Sequence, residues 1–337
     1  MATVLIELTN RCNLNCRHCF DQRHGGDDEI RPPILEKVIR HAGDHGFDTI
    51  VFTGGEPTLH RSFPQIVRDV YAAGYRFGFV SNGQNFLTVY PQIRPFLDRL
   101  ETITFSLDGA TPDSHARLRG DGTFTNLMKA ISVCVAKDLA FTFNSVVTDH
   151  NIHEIEQLAD LAQQLGSGGV RFGQLMLTPA AMNHGLALAP NLIKAVAEKI
   201  EKLQDSQTYP LGMGPGFYTA SLFPCAPLQL SELTITCSGH LSLCCQLPDH
   251  GSALLRHDSQ LDLSQVNFEV AFATWQKAVH RYRSIKRIYF NEHGKGIAEH
   301  LPCWFCQSYS GQVNWLKDFT STPWSRFVED HNFLGGD

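Results

Sequence analysis

The sequence predicts an α/β fold built from parallel strands. Six short apolar runs with the character of strands lie at 4–8, 49–53, 76–80, 102–107, 140–147 and 170–176. Segments with helical patterning alternate with them, at 33–45, 62–73, 88–98, 123–137, 152–165 and 190–204. Strands that alternate with helices form βαβ units, in which the strands run parallel. Several polar and cysteine-containing motifs directly follow these strands, at the edge where parallel α/β folds place their binding sites.

The length, composition and charge of the chain indicate its domain organisation and the classes of partner that are not expected. Its 337 residues are 43% hydrophobic and 18% charged, which allows a sizeable core and favours two domains. Glycine and proline interrupt the pattern at 210–216, so we predict one domain at 1–209 and another at 210–337. The net charge of −6 and the lack of a long Lys/Arg run argue against nucleic acid and anionic membranes as partners.

The ten cysteines are clustered at short spacings, in a chain without a signal peptide or a long apolar run. This pattern favours metal ligation over disulfide bonds, and it predicts a cytoplasmic protein without a membrane span.

The first cysteine group follows the first strand directly. Cys12, Cys16 and Cys19 form a C-x₃-C-x₂-C loop. Three thiolates can hold three irons of a cubane cluster and leave the fourth iron open, whereas clusters are normally held by four cysteines. An open iron indicates an enzyme rather than an electron carrier. The alternative is a zinc loop, because zinc also binds cysteines at short spacings.

The motifs after the next strands, taken with this loop, resemble the radical S-adenosylmethionine (SAM) superfamily. They are Thr53-Gly54-Gly55-Glu56-Pro57, Ser81-Asn82-Gly83, Ser106-Leu107-Asp108-Gly109 and the segment from His115 to Gly120. The resemblance covers about residues 1–205, and its specificity comes from the joint occurrence of the motifs. His18 stands where the family often has an aromatic residue, and a flat imidazole can fill that place.

The resemblance implies a partial (β/α)₆ TIM-like radical SAM barrel and a particular set of cofactor contacts. The three cysteines of the loop would ligate a 4Fe–4S cluster, whose open iron takes the amino and carboxylate groups of SAM. Gly54, Gly55 and Glu56 would receive the methionine ammonium, since glycine lets the backbone approach closely. Asn82 is a further candidate for contact with SAM.

Other SAM contacts are implied farther along the chain. Ser106 and Asp108 offer oxygens to ribose hydroxyls or methionine. Arg119 has a forked set of donors suited to the SAM carboxylate; the alternatives are a surface salt bridge, or Arg117 in its place. Asn144 falls on a strand face predicted to point inward and could also touch SAM, with a hydrogen-bonded core amide as the alternative.

A second group of four cysteines lies in the C-terminal region. Cys225, Cys244, Cys303 and Cys306 resemble the auxiliary-cluster domain called SPASM, or its short form, twitch. No cysteine follows Cys306, which favours the short form with one additional, fully ligated 4Fe–4S cluster. A structural zinc held by the same four thiolates is the alternative. Cys237 is not expected to be a ligand, although it could replace one of the four.

Cys245 directly follows the predicted ligand Cys244. We predict a hairpin at 232–245 with its turn at Ser238-Gly239, and strand neighbours point to opposite faces. Cys245 would then point away from the cluster. The arrangement also resembles radical SAM peptide epimerases, in which the second cysteine of such a pair donates hydrogen to the substrate radical. The alternative is a buried thiol without a catalytic role.

Three functions follow from these features. The first is epimerisation, with Cys245 as the hydrogen donor. The second is oxidative crosslinking or dehydrogenation, with the auxiliary cluster as electron acceptor. The third is a non-catalytic iron–sulfur or zinc scaffold, which the intact SAM motifs disfavour.

The resemblance also suggests the partners. The substrate would be a ribosomal peptide or a small natural product, and a flavodoxin or ferredoxin would supply electrons. Because the first strand starts at Val4, we expect no N-terminal domain that binds a peptide leader.

Overall fold

The computed structural model describes residues 2–20, 28–247, 258–293 and 300–330. Within these ranges the strands form one sheet in the order β7-β6-β5-β4-β3-β2-β1-β8-β9. The strands are β1 Thr3–Thr9, β2 Thr49–Gly54, β3 Arg76–Ser81, β4 Leu100–Ser106, β5 Phe141–Val147, β6 Val170–Gln174, β7 Leu211–Met213, β8 Glu232–Ile235 and β9 Leu241–Ser242.

The first six strands confirm the predicted α/β fold. Each pairs in parallel with its neighbour in chain order, as successive βαβ units require. The sheet then continues beyond residue 209. Strand β7 adds to β6, and β8 pairs in parallel with β1 on the opposite side. The predicted hairpin is present as the antiparallel pair β8–β9.

Helices connect the strands and cover the sheet. They are α1 Pro32–His41, α2 Phe63–Ala72, α3 Phe86–Ile93, α4 Pro112–Arg119, α5 Thr123–Ala136, α6 Ile155–Gln164, α7 Pro179–Asn183, α8 Pro190–Ser206, α9 Phe268–His293, α10 Pro302–Tyr309 and α11 Pro323–Asp330. The predicted helix at 88–98 begins earlier, at Phe86, and ends in a 3₁₀ helix at Arg94–Arg99.

Side chains along a strand alternate between the hydrophobic core and the opposite face of the sheet, as β5 shows. In β5, Phe141 and Phe143 are buried, and Phe141 packs edge to face on Phe105 of β4. Thr142 and Asn144, on the opposite face, line a cavity. Because successive strand residues point to opposite faces, Thr142 and Asn144 present their side chains to the cavity while Phe141 packs in the core.

The long helix α9 is fixed against the hairpin. Trp275 is fully buried, and its indole Nε1 donates to the Ser242 carbonyl of β9 at 2.9 Å. Across 2–20, 28–247, 258–293 and 300–330, no helix combines the length and apolarity needed to span a membrane.

Candidate functional site

A cavity of about 1200 Å³ lies on the inward face of the sheet. Its wall includes the loop cysteines Cys12, Cys16 and Cys19, and the cysteines of the second group. Every predicted site residue except Asp108 lines it. Two cysteine groups that lie more than 200 residues apart in sequence therefore line one cavity.

The first cysteine loop is held against helix α4. The Arg17 amide donates to the Leu118 carbonyl at 2.9 Å, and the Cys19 amide donates to the Cys16 carbonyl at 3.1 Å. Burial raises the pKa of the Cys12 thiol to about 11 and also raises that of Cys16. These thiols are protonated at neutral pH when no metal is bound, and metal ligation would release their protons.

Gly54 and Gly55 form a turn that packs directly on the backbone before the cysteine loop. The Gly55 amide donates to the Thr9 carbonyl at 2.8 Å, and the Glu56 amide donates to the Arg11 carbonyl at 2.8 Å. A Cβ at Gly55 would lie 2.3 Å from the Arg11 carbonyl oxygen. Only glycine allows the turn to pack this closely on the backbone before Cys12. The turn and the cysteine loop therefore fix each other's position.

The Gly55→Ala substitution should therefore damage the site strongly. The new methyl group must displace the backbone just before Cys12, and a shift of about 1 Å in an active site can reduce the rate about 100-fold. We expect a loss of SAM cleavage of at least that size, measured as 5′-deoxyadenosine formed. Gly168→Ala is the control, because a Cβ there meets its nearest atom, the Phe141 carbonyl oxygen, at 3.6 Å. Equal activity of the two variants would contradict this role of Gly55.

Glu56 is a buried carboxylate held by the motifs of neighbouring strands. One oxygen, Oε1, accepts from the Thr58 hydroxyl at 2.6 Å and the Ser81 hydroxyl at 2.9 Å. The other, Oε2, accepts from the Asn82 amide at 2.8 Å. Burial raises the pKa of Glu56, while these hydrogen bonds oppose the rise. The position at the cavity wall suits a carboxylate that receives an ammonium group.

Hydrogen-bond donors point at two sulfurs of the loop. The Asn82 Nδ2 lies 3.9 Å from Cys12 Sγ and also donates to Asn13 Oδ1 at 2.8 Å. The Arg119 Nη1 lies 3.8 Å from Cys16 Sγ. Hydrogen bonds to ligand sulfurs are one of the means by which proteins adjust iron–sulfur clusters. Three thiols on one loop, two of them near such donors, fit the predicted 4Fe–4S cluster.

Asp108 occupies a different place from the one expected for a SAM contact. It is fully buried outside the cavity wall, where it pairs with Arg119 Nε and accepts from the Val146 amide at 2.7 Å. His18 Nε2 lies 3.2 Å from the same carboxylate. Burial alone would raise the pKa of Asp108, but Arg119 and then His18 hold it well below its ordinary value. This geometry supports a positioning role toward Arg119 more than contact with ribose.

The Asp108→Asn substitution should destabilise the fold. Removing one partner of a buried ion pair leaves the other charge uncompensated, which costs about 3–5 kcal/mol. Arg119, whose side chain is 10% exposed, would be that charge. Urea unfolding of the metal-free protein measures the difference. Asp113→Asn on α4 is the matched control because Asp113 is exposed, and similar losses in both variants would refute the prediction.

Ser106 and Asn144 face the cavity from adjacent strands. They stand opposite each other in the β4–β5 register, and both line the wall. Two residues earlier on each strand, the Thr104 and Thr142 hydroxyls lie 3.2 Å apart. The predicted inward orientation of Asn144 is therefore observed, while contacts of Ser106 and Asn144 with SAM stay predictions.

The second cysteine group is assembled from three separate segments. Cys225 precedes a 3₁₀ helix, Cys244 follows β9, and Cys303 and Cys306 lie three residues apart on α10. Burial raises the pKa of Cys244 well above its ordinary value, and neighbouring thiols, including those of the other three predicted ligands, raise it further. Four mutually close thiols from these segments form a donor set that fits a fully ligated cluster.

The Cys244–Cys245 pair lies in a turn and not on a strand as predicted. Strand β9 ends at Ser242, and the Leu247 amide closes the turn on the Cys244 carbonyl at 3.0 Å. The two thiols nevertheless have different surroundings. Burial raises the pKa of Cys245 to about 12, and its further influences include Glu232, Glu7 and Arg171. The turn, rather than strand alternation, separates the environments of the two thiols.

Several residues of the site were not predicted. Glu7, Arg171 and Glu232 line the cavity on the inward faces of β1, β6 and β8. Glu7 could have been found, because it lies on the inward face of the first strand with a short apolar run on the other face. Tyr282 and Lys286 of α9 are buried near the second cysteine group, and the helical pattern alone gives no sign of that position.

No group of three or more His, Cys, Asp or Glu side chains within the described ranges is arranged to hold a single metal ion. A cubane cluster takes one thiolate at each iron, so its ligands do not share one ion.

Comparison with known proteins agrees with the fold and the motifs. Residues 6–162 match the radical SAM superfamily, and the chain therefore contains a radical SAM domain. It is 27% identical over 201 residues to the PqqA peptide cyclase of Ruegeria pomeroyi, covering 58% of this chain and 53% of the relative. It is 31% identical over 166 residues to the AdoMet-dependent heme synthase of Methanosarcina barkeri, covering 48% and 47%. The chain thus spans about half the length of these relatives.

Solved structures share the fold across most of the chain. SuiB of Streptococcus suis bound to S-adenosylmethionine superposes with a TM-score of 0.61 at 13% identity, covering 81% of this chain and 67% of SuiB. Native anSMEcpe with bound AdoMet gives a TM-score of 0.61 at 16% identity, covering 84% and 83%. At these identities the superpositions establish the shared fold.

Proposed function

We propose that this protein is a radical SAM enzyme that modifies a peptide at an unactivated C–H bond. The observation that carries the proposal is the single cavity, whose wall holds the cysteine loop, the second cysteine group and the Cys245 thiol together. The names of similar proteins support a peptide substrate: one relative is a PqqA peptide cyclase, and one solved structure is SuiB bound to the precursor peptide SuiA.

The residues around the cysteine loop would bind and orient the cofactor. When bound, a 4Fe–4S cluster and SAM supply a reducing electron and a 5′-deoxyadenosyl radical able to abstract hydrogen. Cys12, Cys16 and Cys19 would hold the cluster. Glu56, fixed by Ser81 and Thr58, would receive the methionine ammonium, and Asn82 would donate toward the Cys12 sulfur.

Arg119 lies within reach of Cys16 and is held by Asp108. This placement supports a guanidinium that bridges the cluster loop and the cofactor carboxylate. Ser106 and Asn144 line the same wall and are available to ribose hydroxyls.

The second cysteine group would hold an auxiliary 4Fe–4S cluster. Its ligands would be Cys225, Cys244, Cys303 and Cys306. Burial and then the neighbouring thiols raise the pKa of Cys244, and burial and then Cys306 raise the pKa of Cys303. Full ligation would leave no iron open to substrate. The auxiliary site would therefore act in electron transfer or in structure.

Cys245 would donate hydrogen to the substrate radical in a redox-neutral epimerisation. Burial raises the pKa of its thiol to about 12, so the S–H bond is intact at neutral pH. Transfer of that hydrogen to a carbon radical leaves a sulfur radical. One electron from a flavodoxin or ferredoxin and one proton would restore the thiol.

Oxidative crosslinking or dehydrogenation is the second candidate. It is favoured by the four-thiol group in the same cavity wall, because an auxiliary cluster there could take the electron that the substrate radical loses. In that reaction the substrate loses two hydrogens.

The product's mass tests the proposal and separates the two reactions. The protein is reconstituted anaerobically and incubated with SAM, a reductant and short peptides encoded beside its gene. Formation of 5′-deoxyadenosine is expected in either case. An unchanged product mass in water, with one deuterium gained in D₂O, supports epimerisation, whereas loss of two hydrogens supports oxidation. No SAM cleavage under any condition would refute the enzyme assignment.

A further inference from the structure

Helix α9 brings a buried lysine to the second cysteine group. Tyr282 and Lys286 lie four residues apart and therefore on one face of the helix. Both side chains are fully buried. The Lys286 Nζ lies 5.2 Å from the centre of the Phe305 ring, and Phe305 stands between the predicted ligands Cys303 and Cys306.

Apart from the Phe305 ring, the charge of Lys286 has no anionic or hydrogen-bonding partner among the described residues. Its Nζ makes no hydrogen bond in the ranges that the structure describes, and none of the ion pairs found there includes it. An isolated buried cation costs several kcal/mol unless an anion or good hydrogen bonds compensate it. A fully buried ammonium that contacts only an aromatic ring therefore indicates that a negative group belongs nearby.

The neighbouring side chains do not supply that negative charge. No carboxylate among the described residues forms an ion pair with Lys286. Burial and then Lys286 lower the pKa of His300 to about 4, so this imidazole is neutral. The hydroxyl of Tyr282 has no hydrogen-bond partner of ordinary geometry in the described structure.

Four thiolates bound to a cluster would supply the negative charge that the Lys286 ammonium lacks. A cubane cluster with four cysteine ligands carries net negative charge, and one-electron reduction adds to it. The reduction potential of such a cluster depends on net charge and on burial. A buried ammonium stabilises the reduced form more than the oxidised form, since attraction between charges is strong where water is excluded.

We propose that Lys286 is a redox-tuning residue, whose buried ammonium raises the reduction potential of an iron–sulfur cluster held by Cys225, Cys244, Cys303 and Cys306. This inference rests on the auxiliary cluster of the proposed function. The single electron enters from the reductant. The lysine would thereby make the auxiliary site a better electron acceptor.

The test isolates the auxiliary cluster. In a Cys12→Ala/Cys16→Ala/Cys19→Ala background, the remaining cluster is reduced stepwise with dithionite and followed by electron paramagnetic resonance. Adding Lys286→Met should lower the equilibrium constant for reduction at least tenfold, which is a shift of about 59 mV to more negative potential for one electron. Lys286→Arg keeps the charge and should shift the potential less.

Lys277→Met is the matched control, because Lys277 is an exposed lysine on the same helix and its loss should leave the potential unchanged. An unchanged potential in Lys286→Met would overturn the inference while leaving the auxiliary cluster intact. Loss of the cluster from Lys286→Met also overturns it, because the lysine would then serve assembly. If the background protein itself binds no iron, the auxiliary cluster of the proposed function fails instead.

Discussion

Joint replacement of Cys12, Cys16 and Cys19 by alanine is expected to abolish SAM cleavage and to remove about half of the bound iron. The native protein should hold roughly eight irons after anaerobic reconstitution, as two clusters of four. The loop supplies all three predicted ligands of the first cluster, so no partial site survives their loss. The second cysteine group lies in other segments and should keep its roughly four irons.

Iron analysis and the yield of 5′-deoxyadenosine measure these two effects. Cys134→Ala is the matched control, because Cys134 is a fully buried thiol in the hydrophobic core. That variant should keep both clusters and normal cleavage. Cleavage by the triple variant would contradict the assignment of the first site, and complete loss of iron would contradict the second.

The Cys245→Ala substitution is expected to stop normal product formation while both clusters and SAM cleavage remain. The thiol lines the cavity but belongs to neither predicted ligand set. Without a donor, the substrate radical still forms and is not quenched at the proper face. The variant should therefore accumulate 5′-deoxyadenosine with little normal product, or with side products of different mass.

Cys244→Ala provides the contrast, since the adjacent residue is a predicted ligand. That variant should lose the auxiliary cluster, visible as a loss of about half the iron. In D₂O the Cys245 thiol exchanges to S–D, so the native enzyme should place one deuterium at the inverted carbon. Normal product at the normal rate from Cys245→Ala would show that the thiol only packs, and the oxidative reaction would become the better proposal.

Local patterns in the sequence were sufficient for the first six strands. Each is an apolar run, the first four are followed by a motif, and the structure places these motifs together because parallel strands end at one edge. The cysteine loop and the Gly54-Gly55-Glu56 turn meet for that reason. The local motifs and the order of the strands were sufficient to predict that this part of the site comes together.

The sequence could not predict features that depend on distant packing. Strand β8 has four residues, and its pairing with β1 joins segments more than 220 residues apart. The sequence pattern predicts that Cys244 and Cys245 continue strand β9, but the chain turns after Ser242. From the sequence alone, Lys286 is expected to be an exposed polar residue on a helix. Its burial follows from where α9 packs, which no local pattern specifies.

Asp108 shows that a sequence motif does not predict the contacts of every side chain within it. Its place after the fourth strand predicted contact with SAM, yet the structure engages its carboxylate with Arg119 and the Val146 amide. A motif indicates which residues gather at a site. The direction in which each side chain points depends on partners from other elements, here α4 and β5.

The pairing of β1 with β8 ties the first cysteine loop to the order in which the chain folds. Strand β1 leads directly into that loop and is synthesised well before its second neighbour in the sheet, Glu232–Ile235. Until that segment arrives, β1 is an edge with unpaired backbone groups, which favours association with other chains. The long sequence separation also makes this contact slow to form. The strand that leads into the cysteine loop thus gains its second neighbour late, which ties the assembly of that loop to a segment more than 220 residues farther along the chain.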